Sequence, residues 1–477
     1  MNLCDFPSDI LEQIFYIHVY EHLQSRVPLL RTCRSWRLVA TNYSSLWRII
    51  SWHGDDTLPP NKVKCHSLNG LSTLINRTGT ATFDFRLGCP YRDLSGEIQA
   101  FISSIPKDWL SRCHTFTLHA PEAQWRVPNS RALGDLLGAY SYEALDRLEL
   151  IHTGSKMWEY MLENLMSRIE STSPNLRSLT VHCGRATKHV KKCVFDRPAV
   201  LGNIRNLDIR SFDHPVPWND LPNLERLAFR DLEFKGLHLK NLIAPKLLRL
   251  TLEGDYLSSN FPKETCQQLT HLTLEYFAFE NSEDVTFLRF SSLLSLIIRS
   301  GDVNFPNIEA PKLDEFVFVL NPSDESPYLY PEFDEVKLTP RIIRLDILSS
   351  EDQEEPLVYP LDSWSKVEEL HLTTFGERNS IGPTLIETLT GTGSERFFPF
   401  LKCLTVLYPA KEDDGNPWPV KQSQIDELRG ILNGRLAAGF KVLERMEVGW
   451  YWTGGNDSIL DDPERRWWVT KWEDCLK

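Results

Sequence analysis

The segment "LTHLTL" (Leu269–Leu274) decides how the chain folds. Leu272 and Leu274 are two residues apart, so in an extended segment both point to one face and Thr273 to the other. The same apolar-x-x-Leu-x-apolar unit occurs as "LDRLEL" from Leu145, "LRSLTV" from Leu176, "IRNLDI" from Ile204, "LERLAF" from Leu224 and "LLRLTL" from Leu247. It returns as "LLSLII" from Leu293, "LDEFVF" from Leu313, "IIRLDI" from Ile342, "VEELHL" from Val367, "LKCLTV" from Leu401 and "LERMEV" from Leu443, with "CHTFTL" from Cys113 a weaker first copy. One such strand cannot bury its apolar face alone. Stacked copies can, as a parallel sheet whose strands are joined by return segments. One return, "GSKMWEYMLENLMSRIES" (154–171), sets Trp158, Leu162, Leu165 and Ile169 at helical spacing.

This repetition resembles a degenerate leucine-rich-repeat solenoid over roughly residues 110–450. The family places Asn or Cys three positions after the last apolar residue. Those positions here hold Leu232, Asp255, Phe277 and Gly301, and Asn321 alone fits, so an irregular coil is expected.

The chain of 477 residues is long enough for several domains or one long array; 42% hydrophobic and 25% charged content suits a globular protein. The N-terminus "MNLCDFPSDILEQ" is not a signal peptide, no apolar run is long enough to span a membrane, and the 10 cysteines form no C-x-x-C pair. A reduced intracellular setting, cytoplasmic or nuclear, is expected. The net charge of −13 is concentrated: residues 301–370 hold 17 Asp and Glu against 5 Lys and Arg, and this block is read as solvated loop. Such acidity argues against nucleic acid as a partner.

The N-terminus carries three short apolar blocks. In "DFPSDILEQIF", Pro7 suits a helix start, with Ile10, Leu11, Ile14 and Phe15 on one broad face. "LLRTCRSWRLVA" (Leu29–Ala40) reads as a helix with Leu29, Cys33, Trp36 and Ala40 on one face and Arg31, Arg34 and Arg37 on another. "SSLWRII" adds Leu46 and Trp47. Elements this small leave apolar surface for a partner. The three blocks, "FPSDILEQIF", "TCRSWR" and "LW", resemble the F-box, with Phe6, Asp9 and Thr32 in place of the family's Leu, Glu and Val.

The resemblance implies an α/β chain: a short three-helix F-box at 1–52, a linker and irregular first coils at 53–110, a leucine-rich-repeat-like solenoid with a parallel sheet at 111–450, and a tryptophan-rich cap at 451–477. It also implies docking on Skp1, and through it a cullin, by Phe6, Pro7, Ile10, Leu11, Ile14, Phe15, Leu30, Cys33, Trp36, Leu46 and Trp47. The chain would then be the substrate receptor of a ubiquitin ligase, or a Skp1-binding or repeat-mediated scaffold that works without a cullin.

The sheet face opposite the leucines would hold the substrate protein, through Arg210, Arg226, Arg230, Arg249, His271 and Arg299, because arginine fits carboxylate and phosphate with paired hydrogen bonds. No enzyme motif, cofactor or metal is expected. The Cys/His cluster His182, Cys183, His189 and Cys193 has no standard zinc spacing, and "GTGSE" (Gly391–Glu395) is a loop. Trp450, Trp452, Trp467, Trp468 and Trp472 are read as covering the open end of the last coil.

Overall fold

The computed structural model describes residues 7–21, 27–52, 63–65, 68–88, 108–119, 127–151, 159–183, 190–211, 221–232, 242–254, 256–257, 267–275, 278–279, 288–300, 308–320, 337–347, 363–373, 389–390, 398–410, 422–452 and 468–471. The chain is α/β and divides into two compact units, Met1–Glu233 with Leu242–Lys246, and Phe234–Asn241 with Leu247–Lys477. Among the described residues no helix is long and apolar enough to cross a membrane.

The first unit opens with a helical layer: α1 (Ser8–Tyr16), continued by a wider π turn at Ile17–Glu21, then α2 (Val27–Thr32), α3 (Arg34–Asn42) and a 3-10 turn at Ser44–Trp47. Its sheet follows, with β1 (Ile49–Trp52), β2 (Val63–Cys65), β3 (Phe83–Leu87), β4 (Cys113–His119), β5 (Arg147–Ile151), β6 (Ser178–His182), β7 (Asn206–Arg210) and β8 (Arg226–Leu232). These strands run parallel in the order β2-β1-β3-β4-β5-β6-β7-β8, and β2 and β8 do not pair to close a barrel. The returns include helices: α4 (Leu68–Arg77), α5 (Val127–Ala139), α6 (Glu159–Thr172) and α7 (Pro198–Leu201). Helix α6 buries Met161, Leu162, Leu165, Met166 and Ile169, close to the periodicity of its sequence, while Trp158 lies outside the described residues.

The second unit repeats the sheet with β9 (Arg249–Gly254), β11 (His271–Glu275), β14 (Ser295–Ser300), β16 (Glu315–Leu320), β18 (Ile342–Ile347), β19 (Glu369–Thr373), β20 (Cys403–Ala410) and β21 (Arg445–Trp452), all parallel in that order. A last strand, β22 (Trp468–Lys471), pairs antiparallel with β21 and sets Trp450 opposite Trp468, so the outermost repeat strand is covered by backbone pairing. The described returns here are mostly extended: β10 (Tyr256–Leu257) pairs with β12 (Ala278–Phe279), and β13 (Leu288–Arg289), β15 (Ile308–Ala310) and β17 (Lys337–Leu338) form a small parallel sheet. Helix α8 (Gln422–Ala437) is the long exception.

One proline-led turn recurs ahead of four of the repeat strands. In Ser173-Pro174-Asn175-Leu176, Leu221-Pro222-Asn223-Leu224, Ala310-Pro311-Lys312-Leu313 and Phe398-Pro399-Phe400-Leu401, the leucine N–H donates to the carbonyl three residues back, at 3.1–3.4 Å. Proline presets the backbone of the second turn position, and the leucine that closes the turn is delivered into the core. Period-2 alternation does the rest. Leu148, Leu179, Leu207 and Leu227 stand in register in the first unit, and Leu250, Leu272, Leu296, Phe316, Ile343, Leu370, Leu404 and Met446 in the second; all are buried.

The structure departs from the sequence reading in two places here. The end of the three-helix block expected at 1–52 is a strand: β1 lies between β2 and β3, which come from the stretch read as a linker and irregular first coils, with Ile50 and Trp52 buried. Removing residues 1–52 would therefore remove an inner strand. Part of the acidic block is also ordered. Asp314, Glu315, Glu368 and Glu369 begin or precede core strands rather than sitting in solvated loop, while the segments "NPSDESPYLYPEFDE" and "SSEDQEEP" and the turn residue Asn321 fall outside the described residues.

Candidate functional site

The helical layer sorts its apolar residues into two sides. Leu11, Phe15 and Val19 are buried, as are Leu29, Ala40, Leu46 and Trp47. The Phe15 ring meets the half-buried Trp36 at 5.0 Å between centroids, tilted by 59°. Trp47 donates its indole N–H to the Ala40 carbonyl at 2.9 Å, and the Arg77 guanidinium stacks over its ring at 4.5 Å. These contacts seat the layer on α4. Outside lie Ile10 and Ile14, each 37% exposed, Ile17 at 40%, and Leu38 at 63%. Ile10, Ile14 and Ile17 follow i, i+4, i+7 spacing, one stripe of a helix.

The residues expected to meet a partner therefore separate. Pro7, Ile10 and Ile14 are exposed; Leu30 and Trp36 are half-buried; Leu11, Phe15, Leu46 and Trp47 face the layer's own core; and Phe6 lies outside the described residues. Cys33 also differs from its expected place on a continuous helical face. Its backbone is extended (φ −155°, ψ 174°), and its Sγ accepts the Trp36 N–H at 3.4 Å, capping α3. The Leu29–Ala40 stretch is thus two helices, and Arg37 bridges the break by donating from Nε to the Leu30 carbonyl at 2.8 Å. Arg31 and Arg34 stay exposed on different helices.

The sheet faces opposite the leucines are the second candidate, and each unit is described by itself. In the first unit the register aligns Thr115, Arg147, Ser178, Asn206 and Arg226 in one row, and His119, Ile151, His182, Arg210 and Arg230 in another. Arg147 is closed by Glu149 at 2.8 Å, and Glu149 also accepts from the Thr117 hydroxyl at 2.8 Å. Arg210 is closed by Asp208 at 2.9 Å. Exposed Arg226 and half-buried Arg230 have no carboxylate partner among the described residues, and the Nε of Arg230 is buried without a hydrogen bond.

In the second unit most charges on this face are used internally. Arg299 and Glu275 form a buried pair at 2.8 Å, with side chains 10% and 11% exposed, so Arg299 is not available to a ligand as expected. Val317 and Val319, on the same face, are buried too. Arg344 meets Glu315 at 3.1 Å and Arg445 meets Glu447 at 3.5 Å. Exposed Arg249 has no ion pair among the described residues, and the His271 ring nitrogen lies 2.9 Å from the Thr270 hydroxyl. His371 is held below the usual histidine range by burial and then by Arg344, so its 3.9 Å approach to Glu369 is a neutral contact and not an ion pair.

Just before the strands, Asp314, Arg341, Glu368 and Lys402 occupy one repeat position, linked by backbone N–H to carbonyl bonds of 2.8–3.0 Å. Their side chains alternate in sign and pair at 2.8 Å (Arg341–Asp314), 3.9 Å (Arg341–Glu368) and 3.1 Å (Lys402–Glu368).

Little points to chemistry. Among the described residues no group of His, Cys, Asp and Glu could hold a metal. Cys183 and Cys193 are buried, burial pushes the Cys193 thiol up to about 12, and His189 lies outside the described residues. Such a thiol stays protonated at neutral pH. Sequence does not mark Ile17 and Leu38 as surface: Ile17 follows the "FPSDILEQIF" block, and Leu38 sits among arginines. No family model matches the chain, and no curated protein matches it.

Proposed function

We propose that the chain is the substrate-recognition subunit of a Skp1–cullin–F-box ubiquitin ligase, with an F-box at the N-terminus and leucine-rich-repeat coils behind it. The observation that supports this reading is the exposed Ile10, Ile14 and Ile17 stripe, on an N-terminal layer whose other side is filled by Leu11, Phe15 and Val19. Large apolar side chains exposed in a row mark an interaction surface. Ile10 and Ile14 fall within "FPSDILEQIF", the first of the three blocks that resemble the F-box, and that resemblance supports Skp1 as the partner. Arg31 and Arg34, both exposed, are placed to meet an acidic rim on that partner. The repeat strands behind the layer offer an open face to a client protein. The chain itself carries out no chemistry in this scheme.

Affinity capture of the full chain from cells tests the assignment. Recovery of Skp1 together with a cullin is expected. Skp1 without a cullin would move the chain to the scaffold reading, and absence of both would remove the F-box assignment.

A further inference from the structure

We propose that the first unit's open sheet face, at β8, docks an extended acidic segment of a protein partner, through Arg226 and Arg230. The inference rests on the client-binding reading above and names the client's chemistry. Two neighbouring arginines show what this face does with a cation it has no other use for: Arg147 and Arg210 are each closed by a carboxylate two residues along the same strand, at 2.8 and 2.9 Å. On β8 the corresponding position is Ala228, so Arg226 and Arg230 have no such partner, and the small side chain leaves the space between them open. The buried, unbonded Nε of Arg230 is a donor awaiting an acceptor, a costly state for a polar atom out of water.

Spacing selects the ligand. Residues i and i+4 of a strand lie about 13 Å apart, so the two guanidinium groups address separate anions more readily than one phosphate. An extended peptide running along β8 repeats at the same rise, and carboxylates two or four residues apart on it fall on the same side. Asp208, in register with Ala228, and Glu149 beyond it would repel a continuous polyanion such as single-stranded DNA, whereas a peptide can place a neutral residue opposite Asp208.

The test uses the full chain and a fluorescein-labelled peptide of about twelve residues in which one glutamate alternates with three serines, so that a serine faces Asp208. A peptide of the same composition with its glutamates in one block, and unlabelled decathymidylate as competitor, complete the set. Anisotropy titration is expected to show saturable binding of the alternating peptide, weaker binding of the block peptide, and loss of affinity between about 50 and about 300 mM salt. Arg226→Gln and Arg230→Gln are each expected to weaken binding about tenfold, the scale of one charge-assisted contact, with Lys402→Gln unchanged. Thermal melting confirms that each variant is folded. No binding by the folded wild-type chain, equal affinity in the arginine variants, or displacement by decathymidylate at lower concentration than by unlabelled peptide would each overturn the proposal. Skp1 capture by the same preparations is a separate readout: if it persists while peptide binding fails, the acidic-segment inference falls and the ligase reading stands.

Discussion

On the sheet face opposite the leucines, carboxylates close most arginines of the second unit, Arg249 excepted, whereas in the first unit they close Arg147 and Arg210 and leave β8 open. In the second, Arg299 is sealed against Glu275, Arg344 against Glu315 and Arg445 against Glu447. In the first, the closing carboxylates stop at Asp208, and β8 carries Arg226 and Arg230 on either side of an alanine. An arginine count along the repeats therefore says little about binding. What matters is whether the residue two positions away, or in register on the next strand, is a carboxylate. The apolar faces differ far less: both units align leucines strand by strand and feed them from the same proline-led turn.

Breaking the shared part should have the largest effect. Leu250 is buried in β9, in register with Leu272 of β11, and Leu250→Asp, which places an unpaired charge there, is expected to cost about 5 kcal/mol or more by chemical denaturation. A loss near 1 kcal/mol would mean that neighbouring coils do not rely on one another.

Breaking the sealed pair comes next. Arg299→Met leaves the buried Glu275 carboxylate without its arginine, an expected loss of about 3–5 kcal/mol, and adding Glu275→Leu should recover most of it, since a buried pair is seldom better than an apolar one. By contrast exposed Arg226→Gln should stay within about 0.5 kcal/mol, because it severs no ion pair among the described residues. Equal losses at Arg299 and Arg226 would erase the distinction between the two faces.

A pH-gated effect follows. The folded chain holds His371 below its unfolded value, near 6.5, so the unfolded state binds the proton more readily. Stability is unaffected by this residue at higher pH and declines as pH falls below about 6.5 toward the depressed native value. His371→Gln should flatten that decline in melting temperature measured across acid pH. The smallest effect is expected at the exposed ladder: Lys402→Gln should change stability by about 0.2–1 kcal/mol, and less at high salt.

The sheet was legible because its signal is repeated. Each strand shows Leu at spacing two, and a dozen copies in tandem admit few structures other than parallel pairing. Beyond irregular first coils the sequence does not place β1–β3 strand by strand, since "IISW", "VKC" and "FDFRL" lack the repeat unit. Leu11 and Phe15 could not be told from Ile10 and Ile14 in sequence, because the four form one broad apolar arc and only packing against Trp36 and the elements after it decides which half is covered. Likewise Arg299 and Arg230 occupy similar places in their strands, and a carboxylate on the adjacent strand, distant in sequence, separates them.

In the proposed role the exposed isoleucine stripe docks Skp1 while its buried neighbours hold the layer together. Titration calorimetry of purified Skp1 into the full chain tests it directly, with Ile10→Asp/Ile14→Asp set against the wild type. The variant touches only exposed positions, so its melting temperature should stay close to the wild-type value while Skp1 binding is lost. Wild-type affinity in the folded double variant would contradict the account.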